Sequence, residues 1–292
     1  MFVQNNTGSE LKRYVIDKLS SSYQNREIQV LFKAMLCHRM QWEHADFLSN
    51  FTTAVFSESD LLFFKQCINR LVKKEPIQYI LGETYFYNLS LKCHKEVLIP
   101  RPETEELVEW IIESTAFSTS LQIHDLCTGT GCIGLALKNE NPNHEVFLSD
   151  TSPYSIKLSI ENKDLNQLNV SVLRIDSLKD FSIDSFKENT FDVWVSNPPY
   201  IPMVEKEMVD ANVYEYEPHM ALFVEDKDPI CFYKSIADSG FRYLKPDGFL
   251  FFEINPNYAK DIIDYLEKKG YKNIELKQDI SQKNRMLKAQ KS

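Results

Sequence analysis

The first quarter of the chain carries apolar residues at helical spacing. In the segment SELKRYVIDKL, Leu11, Val15 and Leu19 recur every four residues, which places them on one face of a helix. Two further segments show a similar period and none of the alternation that is typical of strands: REIQVLFKAMLCHRM and SESDLLFFKQCINRLVKK. Residues 1–84 are therefore predicted to form a small helical bundle domain.

The pattern changes near residue 85. Residues 85–91 are aromatic and β-rich, and residues 97–99 have the composition of a short second strand. Together they predict a β-hairpin, which with the two prolines of IPRPE joins two domains over residues 85–102. A helix is expected from about Glu103, with acidic residues in its first turn, as the helix dipole favours.

From residue 121 onward, apolar strands alternate with helical stretches. The predicted strands are LQIHDLC, EVFLSD, VSVLRID, FDVWVSN and FLFFEIN, and the tail adds a helix and two weaker strands. This alternation predicts an α/β, Rossmann-like domain over residues 103–292, with a mostly parallel seven-stranded sheet covered by helices on both faces. Ligands in such sheets bind at the carboxyl ends of the strands.

The first of these strands ends in a loop with two glycines, CTGTG. Gly129 and Gly131 allow a tight bend and a close approach of a ligand to the backbone. Nineteen residues after Gly131, the next strand ends at Asp150, whose carboxylate can accept both hydroxyls of a ribose. The third strand ends at Asp176, followed by Ser177, where an acceptor can bind an adenine amino group. These positions predict a nucleoside-binding pocket.

A glycine loop of this kind can bind S-adenosylmethionine or a nicotinamide dinucleotide, or it can bind no ligand. The spacing TGTG is tighter than G-x-G-x-x-G, and the loop lacks the run into a pyrophosphate-binding helix start, which disfavours a nicotinamide dinucleotide. Asp125 adds a carboxylate near the loop, and S-adenosylmethionine carries a cationic amino group and no phosphate. The residues therefore favour S-adenosylmethionine.

The strand FDVWVS runs directly into Asn197, Pro198, Pro199 and Tyr200. The Asn197 amide oxygen and the Pro198 carbonyl are two acceptors that can hold one planar –NH₂ group by both hydrogens. The prolines fix the direction of these acceptors, and the Tyr200 ring can cover the plane of the group. We interpret the segment as a clamp that aligns a poorly nucleophilic amide or exocyclic amine for methylation. The structural alternative is a capped strand end with a rigid turn.

Several segments together resemble the peptide chain release factor glutamine methyltransferases, and the likeness covers nearly the whole chain. The segments are LGETYFYNLSL, VLIPRPETEELVEW, DLCTGTGCIGLAL, VSNPPYIP and KNRMLKA. The most specific is IPRPETEELVEW, because general amine methyltransferases share only the other motifs. The resemblance implies a class I methyltransferase domain behind a helical substrate-recognition domain. It also implies methyl transfer from S-adenosylmethionine to the glutamine side-chain amide nitrogen in the Gly-Gly-Gln motif of class I release factors.

The resemblance also implies residue roles, and the spacing of the cysteines and histidines predicts no metal site. Catalysis would fall to Asn197, Pro198 and Tyr200, and substrate binding to these three and Pro199. The residues that would contact the cofactor are Cys127, Thr128, Gly129, Thr130, Gly131, Asp150, Ser177 and Asn197. Two positions depart from the family pattern: Cys127 stands where glycine is common, and Ser177 stands where relatives often carry an aromatic residue.

Charge limits the alternatives. The chain has 33 basic and 42 acidic residues, a formal net charge of −9, whereas non-specific duplex binding depends on a basic face. A DNA adenine-N6 methyltransferase also uses Asn-Pro-Pro-Tyr on a flipped base, but the acidic balance and the lack of a large target-recognition segment disfavour it. A ribosomal-protein glutamine methyltransferase and a non-catalytic cofactor-binding module remain as rivals.

Cellular setting and surface residues follow from simpler features. The six cysteines form no CxxC pair, which indicates reduced thiols, and no signal peptide or membrane span is evident. We expect a cytoplasmic monomer that needs no nucleic acid.

Arg101 and Glu103 either lie on the surface or border the active site. The acidic segment 204–223 is expected to be solvated, although its position lets it touch a protein substrate.

Overall fold

The computed structural model describes residues 5–51, 53–179 and 186–292. The chain divides into two compact units, Met1–Gly82 and Glu83–Ser292. Within the described residues, no helix is both long enough and apolar enough to cross a membrane.

The first unit is helical, as predicted. Its helices are α1 (Gly8–Leu19), α2 (Asn25–Met40), α3 (His44–Asn50), α4 (Glu58–Leu71) and α5 (Ile77–Leu81). The predicted apolar face of α1, with Leu11, Val15 and Leu19, is fully buried in the core of this unit. At the start of α4, the Ser57 Oγ accepts from the Asp60 N–H at 3.2 Å, and the Asp60 carboxylate accepts from the Ser57 N–H at 3.0 Å. This capping box satisfies two N–H groups and explains where α4 begins.

The second unit begins with a tight β-hairpin. Strands β1 (Glu83–Phe86) and β2 (Leu89–Lys92) pair antiparallel with Phe86 opposite Leu89. Only Tyr87 and Asn88 connect them, and both have positive φ, 42° and 65°. Two central residues with positive φ are the signature of a type I′ turn, whose twist matches that of the strands.

The prediction of a strand at residues 97–99 is wrong. These residues form no strand, although Val97 and Ile99 are 2% and 3% exposed. The two-residue turn lets β2 take the position beside β1 that this segment was expected to fill. Val97 instead packs over the glycine loop, where its Cγ1 lies 3.7 Å from the position that a Cβ on Gly129 would take.

The rest of the second unit is the predicted α/β domain. Its elements are α6 (Pro102–Ser114), β3 (Gln122–Leu126), α7 (Cys132–Glu140), β4 (Glu145–Asp150), α8 (Pro153–Leu165), β5 (Ser171–Arg174), β6 (Phe191–Ser196), β7 (Ile201–Pro202), α9 (Ala211–Tyr216), α10 (His219–Leu222), β8 (Phe223–Val224), α11 (Cys231–Tyr243), β9 (Leu244–Glu253), α12 (Ala259–Lys269), β10 (Tyr271–Gln278) and β11 (Asn284–Lys291). In the part of the chain that the structure describes, 3-10 helices lie at Met203–Met208 and Pro256–Tyr258.

Seven of the described strands form one sheet in the order β10-β11-β9-β6-β3-β4-β5, and the pairs β1-β2 and β7-β8 form two small separate sheets. Pairing is parallel from β9 through β5 and antiparallel at β10 and β11, which confirms the mostly parallel sheet. Along β6, Val193 and Val195 belong to one apolar core with α6 and α7, whereas Trp194 belongs to the other with α11 and α12. The sheet is therefore covered on both faces.

The strand order reverses direction around β3. After β3 the chain adds β4 and β5 on one side, and it then returns to place β6 on the other side. A crevice forms where neighbouring strands lead away in opposite directions, and ligands of open α/β sheets bind there. The loops that follow β3 and β6 begin at Cys127 and Asn197, so two of the predicted motifs meet at this crevice.

Candidate active site

A cavity of about 360 Å³ lies at the carboxyl ends of the parallel strands. Most of the residues that sequence reasoning assigned to a cofactor are on its wall: Cys127, Thr128, Gly129, Thr130, Asp150, Ser177 and Asn197. Asp176 and Pro199 also line it. Its size and position suit a nucleoside-bearing small molecule.

The two glycines of the loop have different roles. Gly129 has φ 56°, and an added Cβ would meet only Val97 within 4 Å, so the cavity side of the backbone is open. Gly131 does not line the cavity. It has φ 87°, and a Cβ there would lie 3.0 Å from Leu135 Cδ1 and 3.2 Å from Leu148 Cδ1. Gly131 is therefore required by its backbone conformation and by packing at the start of α7.

The two positions that depart from the family pattern contact one another. Cys127 adopts φ 56°, a left-handed conformation that favours glycine. Its Sγ–H donates to the Ser177 Oγ at 3.6 Å. Burial raises the pKa of the Cys127 thiol to about 12, so the side chain is a neutral donor. A larger residue at 177 would crowd this thiol.

Asp150 is held rigidly at the end of β4. Its Oδ2 accepts from the Gly129 N–H at 3.0 Å, and its Oδ1 accepts from the Ser152 N–H at 2.9 Å. Burial raises the pKa of this carboxyl above its ordinary value. The Ser155 hydroxyl and the Thr151 N–H also interact with this carboxylate. Because Asp150 lies on the cavity wall, a ligand hydroxyl can approach it from the cavity.

Asp125 lies beneath the loop and does not line the cavity. Its Oδ2 accepts from the Thr128 Oγ1 at 2.6 Å and from the Gly134 N–H at 3.0 Å. The other oxygen has no hydrogen-bond partner within the described residues. Burial raises the pKa of Asp125 to about 7. Asp125 therefore holds the glycine loop in place through these hydrogen bonds, instead of facing a ligand in the cavity.

The cavity fits the predicted S-adenosylmethionine in three respects. The backbone at Gly129 is open to a ligand, and Asp150 presents a fixed acceptor for a ribose. The Thr130 hydroxyl is buried on the wall, where it interacts with the weakly polar thiol of Cys132. It can form a stronger hydrogen bond with a polar ligand group.

Asn197 lies between this first cavity and a second one. The second cavity is about 740 Å³, and Asn197, Pro198 and Tyr200 are on its wall. Asn197 and Arg101 line both cavities. A group in the second cavity and a ligand in the first can therefore both reach Asn197.

A polar chain that sequence reasoning missed runs behind the Asn-Pro-Pro-Tyr segment. Asn197 Nδ2 donates to Thr104 Oγ1 at 3.3 Å, and Thr104 Oγ1 donates to Glu253 Oε2 at 2.6 Å. The Tyr200 hydroxyl donates to Glu253 Oε1 at 3.1 Å. Burial raises the pKa of Glu253 above its ordinary value. The available signal was a lone acid at the carboxyl end of the apolar strand FLFFE, which neighbours β6.

Most of the acidic segment 204–223 is exposed, as expected, but one of its acids is buried. Glu217 within it is 4% exposed. Its carboxylate accepts from the Ile99 N–H at 3.2 Å and forms a salt bridge with Arg101. These two partners draw Glu217 inward and hold the segment against the IPRP stretch. Residues 218, 220 and 221 of the segment then line the first cavity.

Two family models match parts of the chain. The PrmC N-terminal domain matches residues 10–82, and the Methyltransferase small domain matches residues 104–215. Among curated proteins, a release factor glutamine methyltransferase of Flavobacterium psychrophilum is 38% identical over 94% of this chain and 95% of its own length. One of Bacteroides thetaiotaomicron is 34% identical over 96% of this chain and 99% of its own.

Solved structures share the fold at low sequence identity. A methyltransferase from Pyrococcus furiosus has a TM-score of 0.52 at 15% identity and covers 81% of this chain and 100% of its own. A 16S rRNA N2 G1207 methyltransferase of T. thermophilus, in complex with AdoMet and guanosine, has a TM-score of 0.50 at 19% identity, over 72% of this chain and 50% of its own. At such identity, these similarities establish the fold alone.

Proposed function

Because this chain belongs to the family of release factor glutamine methyltransferases, we propose that it methylates the side-chain amide nitrogen of a release-factor glutamine with S-adenosylmethionine. The target is the glutamine of the Gly-Gly-Gln motif in class I release factors. The observation that carries the proposal is that Asn197 lies on the walls of both cavities. An amide in the second cavity can therefore be held facing a methyl donor in the first.

The first cavity supplies the residues that would hold the cofactor. Asp150 binds the ribose hydroxyls, the backbone at Gly129 lies against the ligand, and the turn at Asp176 and Ser177 borders the adenine. When bound, S-adenosylmethionine supplies an electrophilic methyl group. The carboxylate of Asp150 is positioned for this role by the Gly129 and Ser152 N–H groups.

The second cavity supplies the grip on the glutamine. The Asn197 Oδ1 and the Pro198 carbonyl accept the two hydrogens of the substrate amide, while the Tyr200 ring covers its plane. An amide nitrogen is a poor nucleophile because its lone pair is delocalised. Two fixed acceptors increase the electron density on nitrogen and hold it in line with the methyl donor. The nitrogen can lose its proton to water after transfer, so the site needs no strong general base.

The lining of the second cavity suits a peptide loop. Besides the clamp, its wall carries both donors and acceptors: Glu103, Glu205, Asn255, Asn257, Lys283 and Arg285. Peptide groups present donors and acceptors in equal number, so a wall of mixed polarity can pair with the backbone that flanks the glutamine. The cavity is also larger than a single glutamine side chain requires.

The setting of the reaction follows from its substrate. Release factors act in the cytoplasm, where we place the enzyme. We further propose that it acts as a monomer and needs no nucleic acid. Light scattering at working concentration and nuclease treatment before the assay test these two points, since a dimer or a nuclease-sensitive activity would contradict them.

One assay tests the function directly. The protein is incubated with methyl-labelled S-adenosylmethionine and a purified class I release factor, and the label is located by mass spectrometry. We expect one methyl group on the glutamine of the Gly-Gly-Gln motif. A matched factor with glutamate at that position should remain unlabelled, because it has no –NH₂ group. Labelling of a ribosomal protein instead would support the related enzyme family, and no transfer to any protein would contradict the proposal.

A further inference from the structure

We propose that Thr104 and Glu253 set the direction of the Asn197 side-chain amide. The inference rests on the proposed function, because it concerns the same clamp. Asn197 can grip an –NH₂ group only when its oxygen, and not its nitrogen, faces the substrate. The two ends of a side-chain amide are similar in size, so packing alone discriminates poorly between them. A hydrogen-bond partner must decide.

The hydroxyl hydrogen of Thr104 is committed to Glu253. The two oxygen atoms lie 2.6 Å apart, within the range of a charge-assisted bond from a hydroxyl to a carboxylate. The Thr104 and Tyr200 hydroxyls and the nearby positive charge of Arg285 favour the ionised form of Glu253 against the effect of burial. An ionised carboxylate only accepts hydrogen bonds, so the hydrogen lies on the Thr104 side of this contact and points at Glu253. Only lone pairs of the Thr104 oxygen remain for other neighbours.

This commitment selects one orientation of Asn197. The Asn197 Nδ2 lies 3.3 Å from the Thr104 Oγ1 and donates to it. In the flipped orientation, the amide oxygen would face those lone pairs with no hydrogen between the two acceptors. The amide oxygen is therefore directed away from Thr104 and remains for the substrate. A flipped Asn197 would present –NH₂ to –NH₂, and the clamp would lose one acceptor.

The surroundings strengthen the selection. Thr104 and Glu253 are each 2% exposed, so bulk water does not compete for their bonds. They reach the clamp from different elements, since Thr104 is in the first turn of α6 and Glu253 ends β9. The second oxygen of Glu253 accepts from the Tyr200 hydroxyl. One carboxylate thus acts on both ends of the Asn-Pro-Pro-Tyr segment, and both residues are positioning residues.

A pair of Thr104 variants tests the inference. Thr104→Val keeps the shape and removes the hydroxyl, whereas Thr104→Ser keeps the hydroxyl. We expect the valine variant to lower kcat by roughly 10–100-fold with a smaller change in KM for the release factor, and the serine variant to restore most of kcat. Because Thr104 also lines the first cavity, S-adenosylmethionine affinity is measured by calorimetry in both variants, and kcat is compared at saturating cofactor. Equal losses in the two variants would overturn the inference.

A double variant separates positioning from a direct effect. If Thr104 acts through Asn197, then adding Thr104→Val to Asn197→Ala should cost less than a further twofold in the single-turnover rate. A full multiplicative loss would show that Thr104 acts independently and would overturn the inference. The measurement also distinguishes this inference from the proposed function, because failure of the native enzyme to label a release factor would contradict only the latter.

A spectroscopic measurement needs no activity. In ¹⁵N-labelled protein, the side-chain amide signals of Asn197 can be assigned by their loss in Asn197→Ala. We expect these hydrogens to be protected from solvent exchange in the native protein and in Thr104→Ser. In Thr104→Val, one of the two should lose protection by tenfold or more. Unchanged protection in the valine variant would show that Thr104 does not hold the amide.

Discussion

At the residue scale, the Asn197 clamp sets the largest expected effect on rate. Asn197→Ala removes one of two acceptors at the reacting nitrogen and leaves the buried part of β6 intact. We expect turnover to fall by roughly 10²–10³, the cost of losing one preorganised hydrogen bond in a transition state. Circular dichroism and the thermal midpoint serve as folding controls. A turnover within threefold of the native value would exclude the amide-clamp mechanism.

Asp150 is expected to control cofactor affinity. Asp150→Ala removes both the ribose acceptor and the partner of the Gly129 N–H. S-adenosylmethionine binding should weaken by roughly 1.5–3 kcal/mol, the scale of hydrogen bonds to a charged group. Isothermal titration calorimetry on the folded variant measures this directly. Unchanged affinity would remove Asp150 from the ribose role.

Asp125 is expected to make stability depend on pH. Its pKa is about 7 in the folded protein, against an ordinary value of 3.8, so the folded state binds the proton more tightly than the unfolded chain does. The associated stability is present below about pH 4 and is lost as pH rises through about 7. In Asp125→Asn, the stability deficit relative to the native protein should therefore shrink between pH 5 and pH 8. Urea denaturation at several pH values measures this deficit, and a constant difference would refute the assignment.

At the element scale, one buried acid fastens the segment between β6 and α11. Glu217 accepts from the Ile99 N–H and pairs with Arg101. Glu217→Ala should raise the dissociation rate of S-adenosylmethionine by about tenfold, about 1.4 kcal/mol, because the adjoining residues line the first cavity. Glu215→Ala is a matched control, since Glu215 is an exposed acid on the same segment. Stopped-flow displacement with equal rates in both variants would argue against this role.

The prediction of a strand at residues 97–99 failed because a buried strand and a buried irregular segment have the same apolar composition. Residues 97–99 are apolar, and Val97 and Ile99 are buried; burial favours the same composition in an irregular segment as in a strand. Whether such a segment pairs depends on the neighbour that is available. In this protein, the Tyr87–Asn88 turn places β2 beside β1, so residues 97–99 do not pair with β1.

At the scale of the whole molecule, we expect the second unit to bind the cofactor and the first unit to contribute to substrate recognition. Among the described residues, those that line the first cavity all belong to Glu83–Ser292, whereas the family likeness extends through the first unit. We propose that the first unit contributes to the choice of substrate. A fragment that begins at Gly82 should bind S-adenosylmethionine with nearly native affinity but methylate an intact release factor at least tenfold more slowly.

The control for this truncation is a short peptide that contains the Gly-Gly-Gln motif. If the first unit recognises the intact factor, the fragment and the full chain should methylate the peptide at similar low rates. A folded fragment that works at the full rate on the intact factor would show that the helical unit serves stability instead.

The sequence by itself determined the order and type of most elements and the two motifs of the site. The alternation of apolar strands and helical stretches specified a parallel sheet, and the rule on strand ends then brought the loops at Cys127 and Asn197 together. These features are local or follow from chain order. Hydrophobic period, glycine spacing and proline pairs act over a few residues, which is why they can be recognised without a structure.

Only the tertiary structure decided which distant side chains support the clamp. Thr104 and Glu253 are 149 residues apart in the chain, and no local sequence motif around either residue indicates that it contacts the other. They meet because β9 lies beside β6 and because α6 packs against the same sheet. Strand order and helix placement arise from the packing of the entire domain. A local pattern shows that Glu253 ends an apolar strand, but the packed sheet determines that its carboxylate accepts the hydroxyl that orients Asn197.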